Sequence, residues 1–281
     1  MPAGQSLDYL LYHFVNSKVH DVYRKNLPGY RYAIGLERFK SELEYLLYAN
    51  FTAVSLREVY RWQTDPEYNL PPRPVVITFD GANLEWLEVI APELAKRNMK
   101  AVFYVITGWV ETHEYPYVEP IGWDALRVLT SFIGKGGTKL FEIESHSVTH
   151  RLIAEPDKEI EPQIRYALRQ SKLELDSKLS QDTRFFALPD GKHGGNDEIS
   201  KMVRRIAKEV GYLGIRTSAT DGPVDRTTSP FLHTCRYVAR RDRGMGYMRY
   251  VLEAPYKSKV INIYRSYFEK VKLKIRHSIT S

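Results

Sequence analysis

One cysteine, Cys235, occurs in 281 residues. No disulfide can close within the chain, so the fold does not depend on an oxidising compartment. Strand-like residues surround Cys235, which reads as a small buried side chain and not as a nucleophile. No apolar run approaches the ~20 residues that span a bilayer. The stretch from Met1 to Val15 lacks a basic n-region, and its apolar run is short and interrupted. A cytoplasmic location is expected from these absences. Internal repeats and low-complexity tracts are missing too, and a single domain over residues 1–281 is expected.

What is present starts with charge. The chain carries +7 overall. From Arg236 to Ser281, 12 Lys and Arg face Asp242, Glu253 and Glu269, so residues 1–235 are net acidic. Basic character confined to one end argues against nucleic acid as a partner of the body. Within residues 245–281, Val260, Ile263, Tyr264, Tyr267, Val271 and Ile275 recur at helical spacing among Lys and Arg. Such a basic amphipathic helix either packs on the body with a solvated face or makes peripheral contact with an anionic membrane. The 20 tyrosines suit either a sugar-binding groove or an aromatic core.

Apolar runs of strand length alternate with helical patterns. The runs are Tyr9–Val15, Phe51–Ser55, Val75–Asp80, Ala101–Ile106, Leu140–Ser145, Arg184–Leu188, Tyr212–Thr217 and Leu232–Val238. Helical spacing is clearest at 36–47, 84–94, 160–179 and 199–210. This alternation predicts an α/β fold, a parallel sheet that closes into a barrel with helices outside. A barrel gathers its chemistry at the C-terminal ends of its strands. That rule selects His13, Asp80, His146 and the Pro189-Asp190-Gly191 turn for one rim.

Each candidate has two readings. His146 and His150 share a face if a helical turn begins there, and both rings could then reach one ion, or they are two ordinary histidines. Asp80 closes an apolar strand, where an unpartnered carboxylate is costly; it is a general base, a metal ligand or a helix cap. Pro189-Asp190-Gly191 is ordinary turn chemistry.

Taken together, four segments resemble a known family. They are Leu11-Tyr12-His13-Phe14-Val15, Pro74-Val75-Val76-Ile77-Thr78-Phe79-Asp80, Ser145-His146-Ser147-Val148-Thr149-His150 and Phe186-Ala187-Leu188-Pro189-Asp190-Gly191. Their order is similar to that of polysaccharide deacetylases, the NodB-homology domains of carbohydrate esterase family four. The resemblance runs from about Leu11 to Val238. It implies a distorted barrel of about seven parallel strands. It also implies metal-dependent hydrolysis of N-acetyl groups on a sugar or polysaccharide. By that resemblance Asp80 is the catalytic base and His146 and His150 are metal ligands. The ion is divalent, zinc first, with cobalt, nickel and manganese as alternatives.

The chain departs from the family pattern. Gly81 stands where the family has a second, metal-binding Asp, and a Gly81→Asp change is expected to tighten metal binding. One subgroup orients the base with an Arg at the position of Ala187. No late strand resembles the one that houses the general acid, and His193 and His233 are the nearest substitutes. Two alternatives to an N-deacetylase follow: a degenerate relative that binds glycan without hydrolysis, and a hydrolase of another carbon–nitrogen amide bond.

Overall fold

The computed structural model describes residues 5–15, 30–112, 119–155, 157–195, 197–218 and 223–253. Its strands are β1 Ser6–Tyr12, β2 Phe14–Val15, β3 Ala33–Ile34, β4 Thr52–Ala53, β5 Pro74–Gly81, β6 Ala101–Val105, β7 Phe141–Ser145, β8 Phe185–Ala187, β9 Gly214–Thr217, β10 Val224–Asp225, β11 Leu232–Thr234 and β12 Tyr237–Val238. The main sheet runs β10-β1-β5-β6-β7-β8-β9-β11, with β12 also against β1 and β4 against β5. Every pairing in it is parallel except β1 with β10. Because β11 pairs with β9 and β12 pairs with β1, one stretch of chain touches both ends of the sheet and nearly closes it. The expected barrel of about seven parallel strands is therefore present.

The expected strand Leu232–Val238 is split, and the split makes the closure. Between its halves, Arg236 turns to give Asp8 on β1 a buried hydrogen bond of 2.8 Å, and its other amino group meets the Val251 carbonyl. A second clamp lies beside it. The buried Glu42 carboxylate accepts from Tyr12 of β1 and Tyr237 of β12, each at 2.8 Å. Arg38, one helical turn away, completes that carboxylate's hydrogen bonding.

Alternation along the strands decides which side chains enter the barrel. On β5, Val75, Ile77 and Phe79 pack outward against the helices, while Val76 joins the interior cluster. Asp80 has the parity of Val76 and so faces inward. The same rule places Leu7, Tyr9 and Leu11 of β1, Tyr104 of β6 and Ala187 of β8 inside. Helix Leu56–Thr64 plugs the opposite end with Leu56, Val59 and Trp62. Its start is fixed by a capping box between Ser55 and Glu58, and its Leu56 N–H donates to Glu142 of β7 at 2.7 Å.

Next to Glu142 lies Glu144, fully buried, which accepts the N–H groups of Arg184 and Phe185 at 2.8 Å and pairs with Arg57. Burial raises its pKa from 4.5 to about 8, against the pull of Arg57. The folded state thus holds a proton that the unfolded state releases between those values. Stability from this group is greatest at low pH and falls as pH rises through that window, then levels off. Glu144→Gln is expected to flatten the fall, as read from urea midpoints at about pH 5 and about pH 9.

Helices Ile160–Leu179 and Glu198–Val210 lie where the spacing predicts them. Met245–Glu253 is a helix, while the remainder of the basic amphipathic stretch lies outside the described residues. Among the described residues no helix is long and apolar enough to cross a membrane.

Candidate active site

Asp80 sits at the mouth of the barrel, one residue before the end of β5. Its carboxylate accepts from Nη2 of Arg216 through both oxygens, with Oδ1 at 2.6 Å. Arg216 is on β9, so its side chain crosses the interior to reach β5. On the other side, Nε2 of His146 lies 3.5 Å from Asp80 Oδ2. His146 directly follows β7 and is held by its backbone N–H to the Val105 carbonyl, 2.8 Å. Its ring Nδ1–H donates to the Ala187 carbonyl at 2.8 Å. That bond fixes the tautomer and leaves the Nε2 lone pair facing the carboxylate.

The expected helical turn at 146–150 does not form. Ser147 and His150 take φ values of 68° and 60°, in the left-handed region. The chain folds back there, and the two imidazoles still meet edge to face with centroids 4.8 Å apart. The loop is seated on Gly108, whose N–H donates to the Val148 carbonyl at 2.9 Å. A Cβ at Gly108 would lie 2.6 Å from that oxygen, so only glycine admits this seating.

A third imidazole belongs to the cluster. His13 continues the inward parity of Leu7, Tyr9 and Leu11, and its buried Nδ1 has no hydrogen-bond partner among the described residues. Its ring is tilted against that of Tyr32 with centroids 4.7 Å apart, and the ring centroids of His150 and Trp109 are 5.7 Å apart. Tyr32 and Trp109 are both half-buried, so each carries an aromatic face beside a site histidine.

Burial dominates the electrostatics. It lowers His146 to about 3 and His13 to about 4, in each case against the pull of Asp80, and lowers His150 as well. For Asp80, burial raises the carboxyl pKa, but Arg216, His146 and His13 outweigh it and leave the group below its ordinary value. At neutral pH the mouth therefore holds three neutral imidazoles, one carboxylate and one guanidinium.

A divalent cation would find part of a ligand shell here. Neutral imidazole is the ligating form, and a ligand His that donates its other nitrogen to a carbonyl is the usual second-sphere arrangement. His146 meets both conditions, and His150 adds a second imidazole. Asp80 is shared with Arg216, and among the described residues no group of three or more His, Cys, Asp or Glu closes on one point. The residues fit an ion with two protein nitrogens and leave its other positions to Asp80, water or substrate.

Gly81 is not a simple vacancy for the missing Asp. Its φ is +139°, and a Cβ there would sit 3.2 Å from Asn83 Nδ2. This backbone runs against the expectation that Gly81→Asp tightens metal binding. The change is expected to lower stability, by on the order of 1–3 kcal/mol for the strained backbone, seen as a reduced thermal midpoint.

The proposed substitutes for a general acid lie elsewhere. His233 uses both ring nitrogens, with Tyr9 Oη at 2.7 Å and Gln63 Oε1 at 2.9 Å. Gln63 belongs to the plug helix, so His233 serves the closed end of the barrel. His193 lies in the segment between the Pro189 turn and Asp197, the cap of helix Glu198–Val210. Asp225 caps a turn through Thr227 and Thr228. Asp221 and residues 113–118 lie outside the described residues. In the Pro189 turn, the N–H groups of Gly191 and Lys192 are spent on the turn itself, so they are not free oxyanion donors.

Sequence reasoning placed His13 on the rim without a role and passed over Arg216. The signal for Arg216 was there. It is a cation within the apolar run Tyr212–Thr217, as costly to bury alone as Asp80 is, and the two costs cancel only if the groups meet.

A family model described as polysaccharide deacetylase matches residues 67–215, which takes in Asp80, His146, His150 and Ala187 and stops one residue short of Arg216. No curated protein matches. Among solved structures, a Streptococcus pyogenes deacetylase, PplD, in complex with acetate is 21% identical with a TM-score of 0.68, covering 89% of this chain and 100% of that one. A de-N-acetylase from Aggregatibacter actinomycetemcomitans is 18% identical with a TM-score of 0.70, over 88% of this chain and 100% of that one. IcaB from Ammonifex degensii is 22% identical with a TM-score of 0.64, over 83% and 91%. At these identities the likeness establishes the fold.

Proposed function

The chain belongs to the polysaccharide deacetylase family, and on that premise we propose that it removes N-acetyl groups from an N-acetylated sugar or polysaccharide by hydrolysis. Asp80 is the general base, and His146 and His150 hold a divalent cation, zinc first. The observation that carries the reading is the convergence of Asp80 Oδ2 and His146 Nε2, 3.5 Å apart at the barrel mouth, with the His150 ring beside them. Two structural relatives, a deacetylase in complex with acetate and a de-N-acetylase, support it.

An amide resists hydrolysis because its carbonyl is a weak electrophile and its amine a poor leaving group until protonated. When bound, the cation supplies positive charge for the carbonyl oxygen and makes nearby water more acidic. Asp80, kept ionised by Arg216, takes a proton as water adds to the carbonyl carbon. The carbon–nitrogen bond then breaks, giving a free amine and acetic acid, which releases its remaining water-derived proton to solvent and leaves as acetate. The amine must leave with one proton, which is the one Asp80 received. His13 is the imidazole we assign to relay it: it continues the inward-facing row of β1, and its buried Nδ1 has no hydrogen-bond partner among the described residues. Tyr32 and Trp109 offer faces on which a sugar ring can lie.

Acetate release from N-acetylglucosamine oligomers tests the reading. Acetate is expected to appear in step with new primary amines. Oligomer binding without any release would favour instead a glycan-binding relative, a reading to which Gly81, in place of the family's second Asp, lends weight.

A further inference from the structure

We infer that the end of the barrel opposite the mouth carries a docking surface for an anionic lipid bilayer, which leaves Asp80, His146 and His150 turned toward solvent. Arg73 immediately precedes β5, and Asp80 lies near the far end of that strand. Extended chain of this length separates the two by roughly 20 Å. Around Arg73 the described surface is aromatic and basic. The Arg73 guanidinium carbon lies 4.0 Å from the centre of the Phe51 ring, and that of Arg249 lies 4.9 Å from the centre of the Tyr45 ring. Tyr45 Oη donates to Glu253 at 2.6 Å, and Arg73 pairs with the same carboxylate at 3.8 Å. One turn beyond Tyr45 on helix Leu36–Tyr48, Tyr48 is 87% exposed, and Leu47 beside it is 42% exposed. A bilayer interface accepts both kinds of group. The leucine and the tyrosine ring enter the headgroup layer, and the guanidinium groups meet lipid phosphates.

Glu253 belongs to this face and ends helix Met245–Glu253, so the rest of the chain departs from here. In sequence, the residues after Glu253 carry seven Lys and Arg against Glu269, a net charge of +6. Tyr256, Tyr264, Tyr267 and Phe268 are interleaved with those cations. Each cation close to an anionic membrane strengthens binding by about fivefold. Aromatic residues among the cations favour a bilayer over a soluble polyanion, which offers charge without an apolar layer to enter. The exposed Leu47 and Tyr48 make the same distinction from the body of the protein.

The test is sedimentation of the full chain with vesicles of phosphatidylcholine, alone or with about 30% phosphatidylglycerol. Binding is expected only with the anionic vesicles, and it should fall at least about tenfold between roughly 50 mM and 500 mM salt. Lys270→Glu/Lys272→Glu/Lys274→Glu is expected to weaken it by at least about 100-fold. Leu47→Ser/Tyr48→Ser should weaken it by about tenfold with circular dichroism unchanged, since both side chains are exposed. Orientation is read from a fluorophore on a single introduced thiol, because Cys235 is buried and stays unlabelled. Emission from Tyr48→Cys is expected to shift to the blue on anionic vesicles. Emission from Lys192→Cys, on the exposed residue that follows the Pro189 turn at the mouth, is expected not to shift. Equal binding to neutral vesicles, no binding to anionic ones, or a shift at position 192 in place of 48 would overturn the inference. So would a Leu47→Ser/Tyr48→Ser protein that binds vesicles as wild type does; equal affinity for dextran sulfate would then assign the basic residues to a soluble polyanion.

Discussion

Asp80→Asn is expected to lower kcat by about 100- to 10,000-fold, the contribution of a positioned general base, with KM little changed. The amide keeps an oxygen for Arg216 but cannot accept water's proton. The same change has a second cost. Asp80 is the buried anion that faces the buried Arg216, and removing one partner of such a pair is destabilising by about 3–5 kcal/mol. The kinetic loss must therefore be read on protein whose circular dichroism matches wild type at the assay temperature. An Asp80→Asn protein that is folded and retains a tenth of wild-type kcat would end the assignment of Asp80 as base.

His146→Ala is expected to remove metal retention. With two imidazoles as the protein's nitrogen donors, losing one leaves His150 alone, and affinity should fall by more than the roughly 10- to 100-fold typical of second-sphere changes. The Ala187 carbonyl also loses its hydrogen bond from Nδ1. Metal analysis after dialysis gives the readout, as moles of zinc per mole of protein. Equal content in the variant and wild type would show that His146 is not a ligand. Because ligation needs neutral imidazole and burial lowers His146 to about 3, this ring should not be the cause of any decline in retention between about pH 8 and pH 6.

Much of the fold was readable because its signals are local. The run Val75–Phe79 alternates between two buried faces, and Asp80 interrupts it at the point where a strand meets the barrel mouth. The strand before His146 is equally clear. Pairing across the barrel was less readable, since it depends on which distant strands face each other. Arg216 was missed for that reason: 136 residues separate it from Asp80. His233 looked like a candidate acid because it sits in a late strand, yet Tyr9 and Gln63 claim both of its nitrogens. The spacing of His146 and His150 suggested a helical turn, whereas two left-handed residues bring the rings together by another path. Gly81 was read as a lost ligand, and only the backbone shows that its conformation itself calls for glycine.

The alternation that points Asp80, His146, Ala187 and Arg216 into one interior also explains why a short list of residues can carry the chemistry. Each is anchored at a strand end, so its position is set by the sheet and not by a free loop. His150 is the exception, and Gly108 compensates by seating its loop directly on the chain after β6.

The most direct measurement is anomalous scattering from a crystal soaked in zinc, recorded on both sides of the zinc absorption edge. The account predicts a peak bonded to Nε2 of His146 and to a ring nitrogen of His150, next to the Asp80 carboxylate. Zinc found only away from the barrel mouth, or a mouth that stays empty in zinc-soaked crystals, would contradict it.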